Sequence, residues 1–154
     1  ISSSDIINAF HTFKALPHRM EVVHIKGNLK FINDSKATNS NSTYWALKSF
    51  DSIYWIAGGV SKDIGMKQLI PLLDRINHAY LIGKAAEEFA DVLLKYHIPY
   101  TIAVTLEEAL KIIKNTNINK GNVLLSPACA SYDQWKNFEE RGNAFVKLVR
   151  EYWK

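Results

Sequence analysis

Three polar loops of this sequence contain side chains that suit the binding of a carboxylate or a phosphate. The loops are "DSKATN" (34–39), "GGVSKD" (58–63) and "SPACASYDQ" (126–134). Their ammonium and hydroxyl donors are Lys36, Lys62, Thr38, Ser126 and Ser131. A charge-assisted hydrogen bond to a desolvated anion contributes about 1.5–3 kcal/mol, so a group of such donors indicates a site for an acidic ligand.

Single residues of these loops also have structural explanations. Serine and threonine cap helices, so Thr38, Ser40 or Ser42 could begin the helix after the first loop, and Ser131 the helix after the third. Gly58-Gly59 suits a tight turn, and a lone lysine is commonly a solvated side chain. Because three such loops occur together, ligand binding is the stronger hypothesis.

Asp34 does not fit the binding of an anion, because its carboxylate repels one. It could instead hold a ribose hydroxyl, a cation or one of the lysines. Cys129 has no charged partner nearby in the sequence, which indicates a small buried group and not a nucleophile. His18 lies at no metal-ligand spacing from another histidine, so we predict no metal site.

The elements around these loops alternate between strands and helices. The predicted strands are 21–26, 29–33, 52–57, 78–82, 100–104 and 122–125, with Gly27-Asn28 as a hairpin turn between the first two. Apolar spacing predicts helices before residue 15 and near 44–50, 66–73, 86–93, 106–113 and 145–152, with Pro71 weakening the third. The pattern predicts an α/β fold: a Rossmann-like three-layer sandwich of about six mostly parallel strands, with one antiparallel strand from the N-terminal hairpin.

Each of the three polar loops follows the end of a predicted parallel strand. Ligands of open α/β sheets bind beyond the carboxyl ends of the strands, which share one edge. We therefore expect the three loops to meet there and to form one binding region.

Composition excludes several classes of protein. The 154 residues are 47% hydrophobic and 22% charged, with no apolar run near the roughly 20 residues that cross a bilayer. The net charge of +4 is scattered, so we expect neither nucleic acid nor membrane as a partner. A single cysteine fits a reducing compartment such as the cytoplasm. The chain has no P-loop, no dinucleotide fingerprint and no nucleophile elbow, which is typical of a binding domain.

Four segments resemble the C-terminal domain of the Mur ligases, and among them the members that add D-glutamate. They are "LPHRMEVV", "INDSKATN", "GGVSK" and "LLSPACASYDQWKNFEERGNAF". The resemblance implies that residues 16–154 are this C-terminal domain, whereas residues 1–15 end the linker from a central ATPase domain. It also implies a monomeric, cytoplasmic enzyme that uses ATP and Mg to join D-glutamate to UDP-N-acetylmuramoyl-L-alanine.

The resemblance also implies roles for seven residues. Matching the family's motifs, Thr38, Lys62, Ser131 and the Phe138 backbone would hold D-glutamate. Arg19 and Asp34 would contact the nucleotide, and Lys36 would lie near the reacting phosphates as the catalytic residue. Val60-Ser61 departs from the usual pattern before Lys62, which weakens that one assignment.

The family's P-loop, magnesium sites and carbamylated lysine belong to its central domain, and none of them is found in these 154 residues. We therefore expect this chain alone to be inactive as a ligase. Two alternatives remain open: a freestanding α/β module that binds an amino acid or nucleotide, and a nucleotide-binding oxidoreductase domain. The missing glycine fingerprint argues against the second.

Overall fold

A computed structural model of the chain describes residues 16–61 and 65–154. The predicted helix before residue 15, and Lys62, lie outside these residues. The strands are β1 (Glu21–Lys26), β2 (Asn28–Asn33), β3 (Ile53–Gly58), β4 (Ile76–Ile82), β5 (Tyr100–Val104) and β6 (Lys120–Leu125). The helices are α1 (Ser40–Ser49), α2 (Ala86–Lys95), α3 (Leu106–Asn115) and α4 (Phe138–Tyr152), with two 3₁₀ helices at Met66–Gln68 and Ile70–Arg75.

The six strands form one sheet in the order β1-β2-β6-β3-β4-β5. β1 pairs antiparallel with β2, and its register places Lys26 opposite Leu29 across the Gly27-Asn28 turn. The other four pairs are parallel. The predicted fold is therefore confirmed: a mostly parallel α/β sheet with one antiparallel strand from an N-terminal hairpin.

Two apolar clusters cover the two faces of the sheet. One packs α1, the 3₁₀ helices and α2 against side chains such as Trp55. The other packs α3 and α4 against side chains such as Ile56 and Phe31. Because neighbouring strand residues point to opposite faces, Trp55 and Ile56 join different clusters. The result is three layers with the strand ends left open at both edges.

The segment predicted as a short helix over 66–73 has a different structure. It forms two 3₁₀ helices that meet at Leu69. Pro71 stands at the start of the second one, where its missing N–H is tolerated, although it would interrupt a continuous α-helix. In the described part of the chain, no helix combines the length and the apolar character needed to cross a membrane.

Candidate functional site at the carboxyl edge of the sheet

The described residues of the three polar loops meet at the carboxyl edge, as predicted. β6 lies between β2 and β3, so the loop after β6 contacts the loops after both neighbours. Val60 and Ala130 form an antiparallel bridge, with N–H···O distances of 2.9 and 3.0 Å. Gly58 N–H also donates to the carbonyl of Pro127 at 2.9 Å. These bonds fix the loop after β3 against the loop after β6.

Asp34 joins the loop after β2 to the loop after β6. Its side chain is buried, and Ser126 Oγ donates to Oδ2 at 2.7 Å while Met20 N–H donates to Oδ1 at 3.1 Å. Burial raises the pKa of Asp34 to about 6, although the two hydrogen bonds and the charge of Arg19 oppose this shift. The carboxyl is therefore mostly ionised at neutral pH and takes up a proton in mild acid.

Ser126 is held in place by hydrogen bonds to buried residues of β3 and α1. Its carbonyl accepts a hydrogen bond from Trp55 Nε1 at 2.8 Å, and its hydroxyl lies 3.0 Å from Thr43 Oγ1. Trp55, Thr43 and Ser126 are all fully buried. A polar network that is buried and hydrogen-bonded is rigid, so Asp34 has a fixed position at the edge.

The three residues assigned to the nucleotide line one cleft. This cleft has a volume of about 390 Å³, and its lining comprises Arg19, Met20, Asp34, Lys36, Ala37, Asn41, Ser42 and Trp45. Arg19 and Lys36 are exposed, so both cations reach solvent beside the buried Asp34. We call this the cationic cleft.

Arg19 is held by its two neighbours, whose backbones have positive φ angles of 64° at His18 and 44° at Met20. His18 N–H donates to Glu21 Oε2 at 3.1 Å, and Met20 N–H donates to Asp34. The His18 ring packs so closely on Gly142 that a Cβ there would overlap it. Strained backbone of this kind costs about 1–3 kcal/mol and persists only where surrounding contacts impose it.

Three of the four residues assigned to D-glutamate line a second cleft. Its volume is about 530 Å³, and its lining comprises Thr38, Asn39, Val60, Ser61, Ala128, Ala130, Ser131, Tyr132 and Phe138. It adjoins the cationic cleft, since Lys36 Nζ lies 5.8 Å from the centroid of the Phe138 ring. We call this the hydroxyl cleft. Lys62, the fourth residue, falls outside the described part of the chain.

Thr38 and Ser131 are not helix caps. Asn39 caps α1, with its Oδ1 accepting from Ser42 N–H at 2.9 Å, and Asn137 caps α4. The carbonyl of Ser131 accepts from Trp135 N–H at 2.9 Å within a turn that precedes α4. The capping explanation is therefore wrong for both residues, and their hydroxyls are not used to begin a helix.

Arg141 on α4 is the main residue of the site that sequence reasoning missed. It is fully buried, donating from Nε to Ser35 Oγ at 3.0 Å, from Nη2 to Ser35 O at 2.8 Å and from Nη1 to Cys129 O at 3.0 Å. Burial lowers its pKa to about 10, opposed by Cys129 and Asp133. The sequence did indicate the burial of Arg141, because this residue stands four residues before Phe145 and eight before Val149, on the buried stripe of the helix.

The contacts of Arg141 connect the two clefts. It ties the loop after β2 to the loop after β6, and Ser35 Oγ in turn donates to the carbonyl of Phe138 at 2.8 Å. Cys129 is buried, as predicted, and burial raises the pKa of its thiol to about 12, so it stays protonated. Within the described residues, no group of three or more potential metal ligands occurs.

The fold and the two clefts define an α/β domain whose carboxyl edge presents cationic and hydroxyl side chains of the kind that suit acidic ligands. Comparison with known proteins agrees with this class. Residues 18–129 match the family model described as Mur ligase, glutamate ligase domain. The chain belongs to the Mur ligase family.

Its relatives include proteins named UDP-N-acetylmuramoylalanine–D-glutamate ligase. The chain is 49% identical over 153 residues to the one from Agrobacterium fabrum, covering 97% of this chain and 32% of the relative. The relative from Rickettsia felis is 40% identical over 156 residues, with coverage of 99% and 34%. The relative from Wolbachia pipientis is 43% identical over 151 residues, with coverage of 96% and 30%. The chain thus spans about a third of the length of these relatives.

Proposed function

We propose that the chain is the C-terminal domain of a cytoplasmic, monomeric ligase that uses ATP to join D-glutamate to UDP-N-acetylmuramoyl-L-alanine in peptidoglycan synthesis. The observation that carries the proposal is the pair of adjoining clefts, one with exposed cations and one with hydroxyl donors. An acidic amino acid and a nucleotide have to meet in such a reaction, and the clefts are adjacent. The names of the relatives support the same choice.

The hydroxyl cleft is proposed to hold D-glutamate. The hydroxyls of Thr38 and Ser131 and the backbone of Phe138 donate hydrogen bonds to its two carboxylates, and Lys62 adds a charge. These side chains suit the task because hydroxyls donate to carboxylates without needing a counter-ion of their own. Arg141 positions the loops that carry them through its bonds to Ser35 and Cys129.

The cationic cleft is proposed to hold part of the nucleotide. Arg19 and Lys36 face the phosphates, with Lys36 nearest the reacting group, and Asp34 accepts from a ribose hydroxyl. Each oxygen of Asp34 already accepts one hydrogen bond and has a further lone pair for such a contact. ATP supplies the phosphoryl group that activates a carboxylate, and with Mg it is held mainly by a central domain. We also propose that residues 1–15 end the linker from that domain.

The 154-residue chain alone is proposed to be inactive as a ligase, because its sequence contains no P-loop to hold the triphosphate. The purified chain, given ATP, Mg, D-glutamate and UDP-N-acetylmuramoyl-L-alanine, should release no phosphate above a blank. ATP-dependent formation of the amide product by this chain would overturn this part of the proposal.

The test of the glutamate site is a two-dimensional NMR titration of the ¹⁵N-labelled chain with D-glutamate, with L-glutamate as control. Saturable shifts at Thr38, Ser131 and Phe138, larger for the D enantiomer, are expected. Ser131→Ala should abolish them, whereas Ser52→Ala, an exposed serine at the opposite edge of the sheet, should not. Shifts elsewhere, or a preference for L-glutamate, would favour a freestanding amino-acid-binding module.

A further inference from the structure

Trp45 on α1 is a large aromatic side chain that remains 55% exposed. It lines the cationic cleft together with Arg19, Asp34 and Lys36. The function proposed above gives this indole no task. An exposed tryptophan beside charged groups is suited to contact a ligand that has both an apolar face and a charged part.

The Trp45 ring is held by its neighbours on the helix. The ring of Tyr44 meets it edge-on, with 5.3 Å between centroids and 88° between planes. Lys48 Nζ lies 5.3 Å from the indole centroid, in a cation–π contact. These contacts limit the rotation of the ring before any ligand binds, and an ordered ring loses less conformational entropy on binding.

The lining of the cationic cleft corresponds to the parts of a nucleotide. Arg19 and Lys36 provide positive charge for phosphates, Asp34 provides an acceptor for a sugar hydroxyl, and Trp45 provides a flat aromatic surface. Asn41 and Ser42, on the same side of α1, add polar groups beside the indole. A base stacks on such a ring through its π face, whichever base it is.

We propose that Trp45 stacks on the base of the nucleotide bound in the cationic cleft. The inference rests on the nucleotide-binding part of the proposed function and adds the residue that recognises the base. Since every base has a π face, Trp45 increases affinity for nucleotides with little preference between adenine and guanine. Discrimination between bases has to come from other groups.

The experiment is an NMR titration of the ¹⁵N-labelled chain with ATP, GTP and inorganic tripolyphosphate. The indole Nε1–H signal of Trp45 is assigned by its loss in Trp45→Phe. ATP and GTP should shift this signal, whereas tripolyphosphate should shift only amides near Arg19 and Lys36. Trp45→Ala should weaken ATP binding about tenfold, equivalent to about 1.4 kcal/mol, and leave tripolyphosphate binding unchanged.

Two variants make the test specific. Trp45→Phe retains an aromatic face and should keep most of the ATP affinity. Leu94→Ala, at a 63% exposed apolar residue of α2, controls for the loss of a surface side chain and should have no effect. Because the comparison of ATP with tripolyphosphate uses the unmodified chain, it does not depend on how any variant folds.

Two results would overturn the inference in distinguishable ways. If ATP and tripolyphosphate bind equally well and the Trp45 indole does not shift, the inference is wrong while the phosphate site stands. An indole that instead contacts another protein would give this result. If neither ligand shifts Arg19, Asp34 or Lys36 at millimolar concentrations, the nucleotide part of the proposed function fails together with the inference.

Discussion

The two edges of the sheet both have a polar cleft, but the described part of the chain buries polar side chains at only one of them. At the carboxyl edge Asp34, Ser126, Ser131 and Arg141 are 4% exposed or less. The amino edge has a cleft of about 450 Å³, lined by Gly27, Asn28, Lys30, Asp51, Ser52, Lys120, Gly121 and Asn122. Its charged side chains are exposed, with 84% for the side chain of Asp51.

This difference shows that concavity alone does not identify the candidate site. The clefts at the two edges are similar in volume. Burying a polar side chain is unfavourable unless it gains hydrogen bonds, and at the carboxyl edge those bonds come from the segment before β1, the loops after β2 and β6, α1 and α4. The buried network thus positions the groups around the clefts, whereas the amino edge has solvated side chains without such support. Residues of the same type at the two edges provide matched pairs for testing this conclusion.

The largest difference in stability is expected between variants of Arg141 at the carboxyl edge and Arg75 near the amino edge. Arg141→Met should lower the free energy of unfolding by about 3 kcal/mol or more, because the carbonyls of Ser35 and Cys129 lose their donor inside the protein. Arg75 is half-buried, and its Nη1 pairs with the exposed Asp51 and donates to the carbonyls of Lys48 and Phe50, which water can reach after the change. Arg75→Met should therefore cost clearly less than Arg141→Met, about 1 kcal/mol. Urea denaturation measures both, and equal losses would contradict the distinction between the edges.

The next largest effect is expected in the pH dependence of the free energy of unfolding, through Asp34. Because burial raises its folded pKa from 3.8 to about 6, protonated Asp34 favours the folded state. This stabilisation is complete below about pH 4 and is lost as the pH rises through about 6, by at most about 3 kcal/mol. Asp34→Asn cannot ionise, so its free energy of unfolding should rise relative to the unmodified chain between pH 4 and 7.

Asp51→Asn is the control for that series, because the Asp51 side chain is exposed. The free energies of unfolding of both variants and of the unmodified chain are measured in urea at several pH values, and the rise expected for Asp34→Asn should exceed any change seen for Asp51→Asn. A pH-independent difference between Asp34→Asn and the unmodified chain would mean that burial does not raise the pKa of Asp34.

A smaller effect is expected on ligand binding by the lysines. Lys36→Met should weaken ATP binding by about tenfold, the equivalent of about 1.4 kcal/mol, because a charge-assisted bond to phosphate is lost. Lys120→Met, at the amino edge, should leave the affinity unchanged. NMR titrations of both variants provide the measurement, and the same loss in both would indicate attraction by net charge instead of a site.

The smallest effect is expected for the asparagines. Asn39→Ala removes the cap of α1 and should cost about 1 kcal/mol, whereas the exposed Asn28→Ala should change stability by less than about 0.5 kcal/mol. Thr38→Ala separates capping from binding: it should leave stability unchanged yet abolish the D-glutamate shifts. A loss of stability in Thr38→Ala would mean that Thr38 has a structural role.

Most of the fold could be predicted because its elements have clear local patterns. The bounds of β1 and β5 agree with the structure, and Thr105 caps α3 as its sequence suggests, accepting from Glu108 N–H at 3.2 Å. The prediction was wrong over 66–73, where Pro71 and tertiary packing favour two 3₁₀ helices. The alternative that Thr38, Ser40 or Ser42 caps α1 was also wrong, since Asn39 is the cap.

The sequence by itself determined all the strands, most of the helices, the order of the polar loops and the donors that each loop offers, because apolar periodicity and residue chemistry are local properties. Only the tertiary structure decided the raised pKa of Asp34, the burial of Arg141 and the position of Trp45 in the cationic cleft. The Ser126–Asp34 bond spans 92 residues and the Arg141–Ser35 bond 106. Such bonds and the desolvation around them depend on how distant segments of the chain pack, and the local sequence pattern does not show that packing.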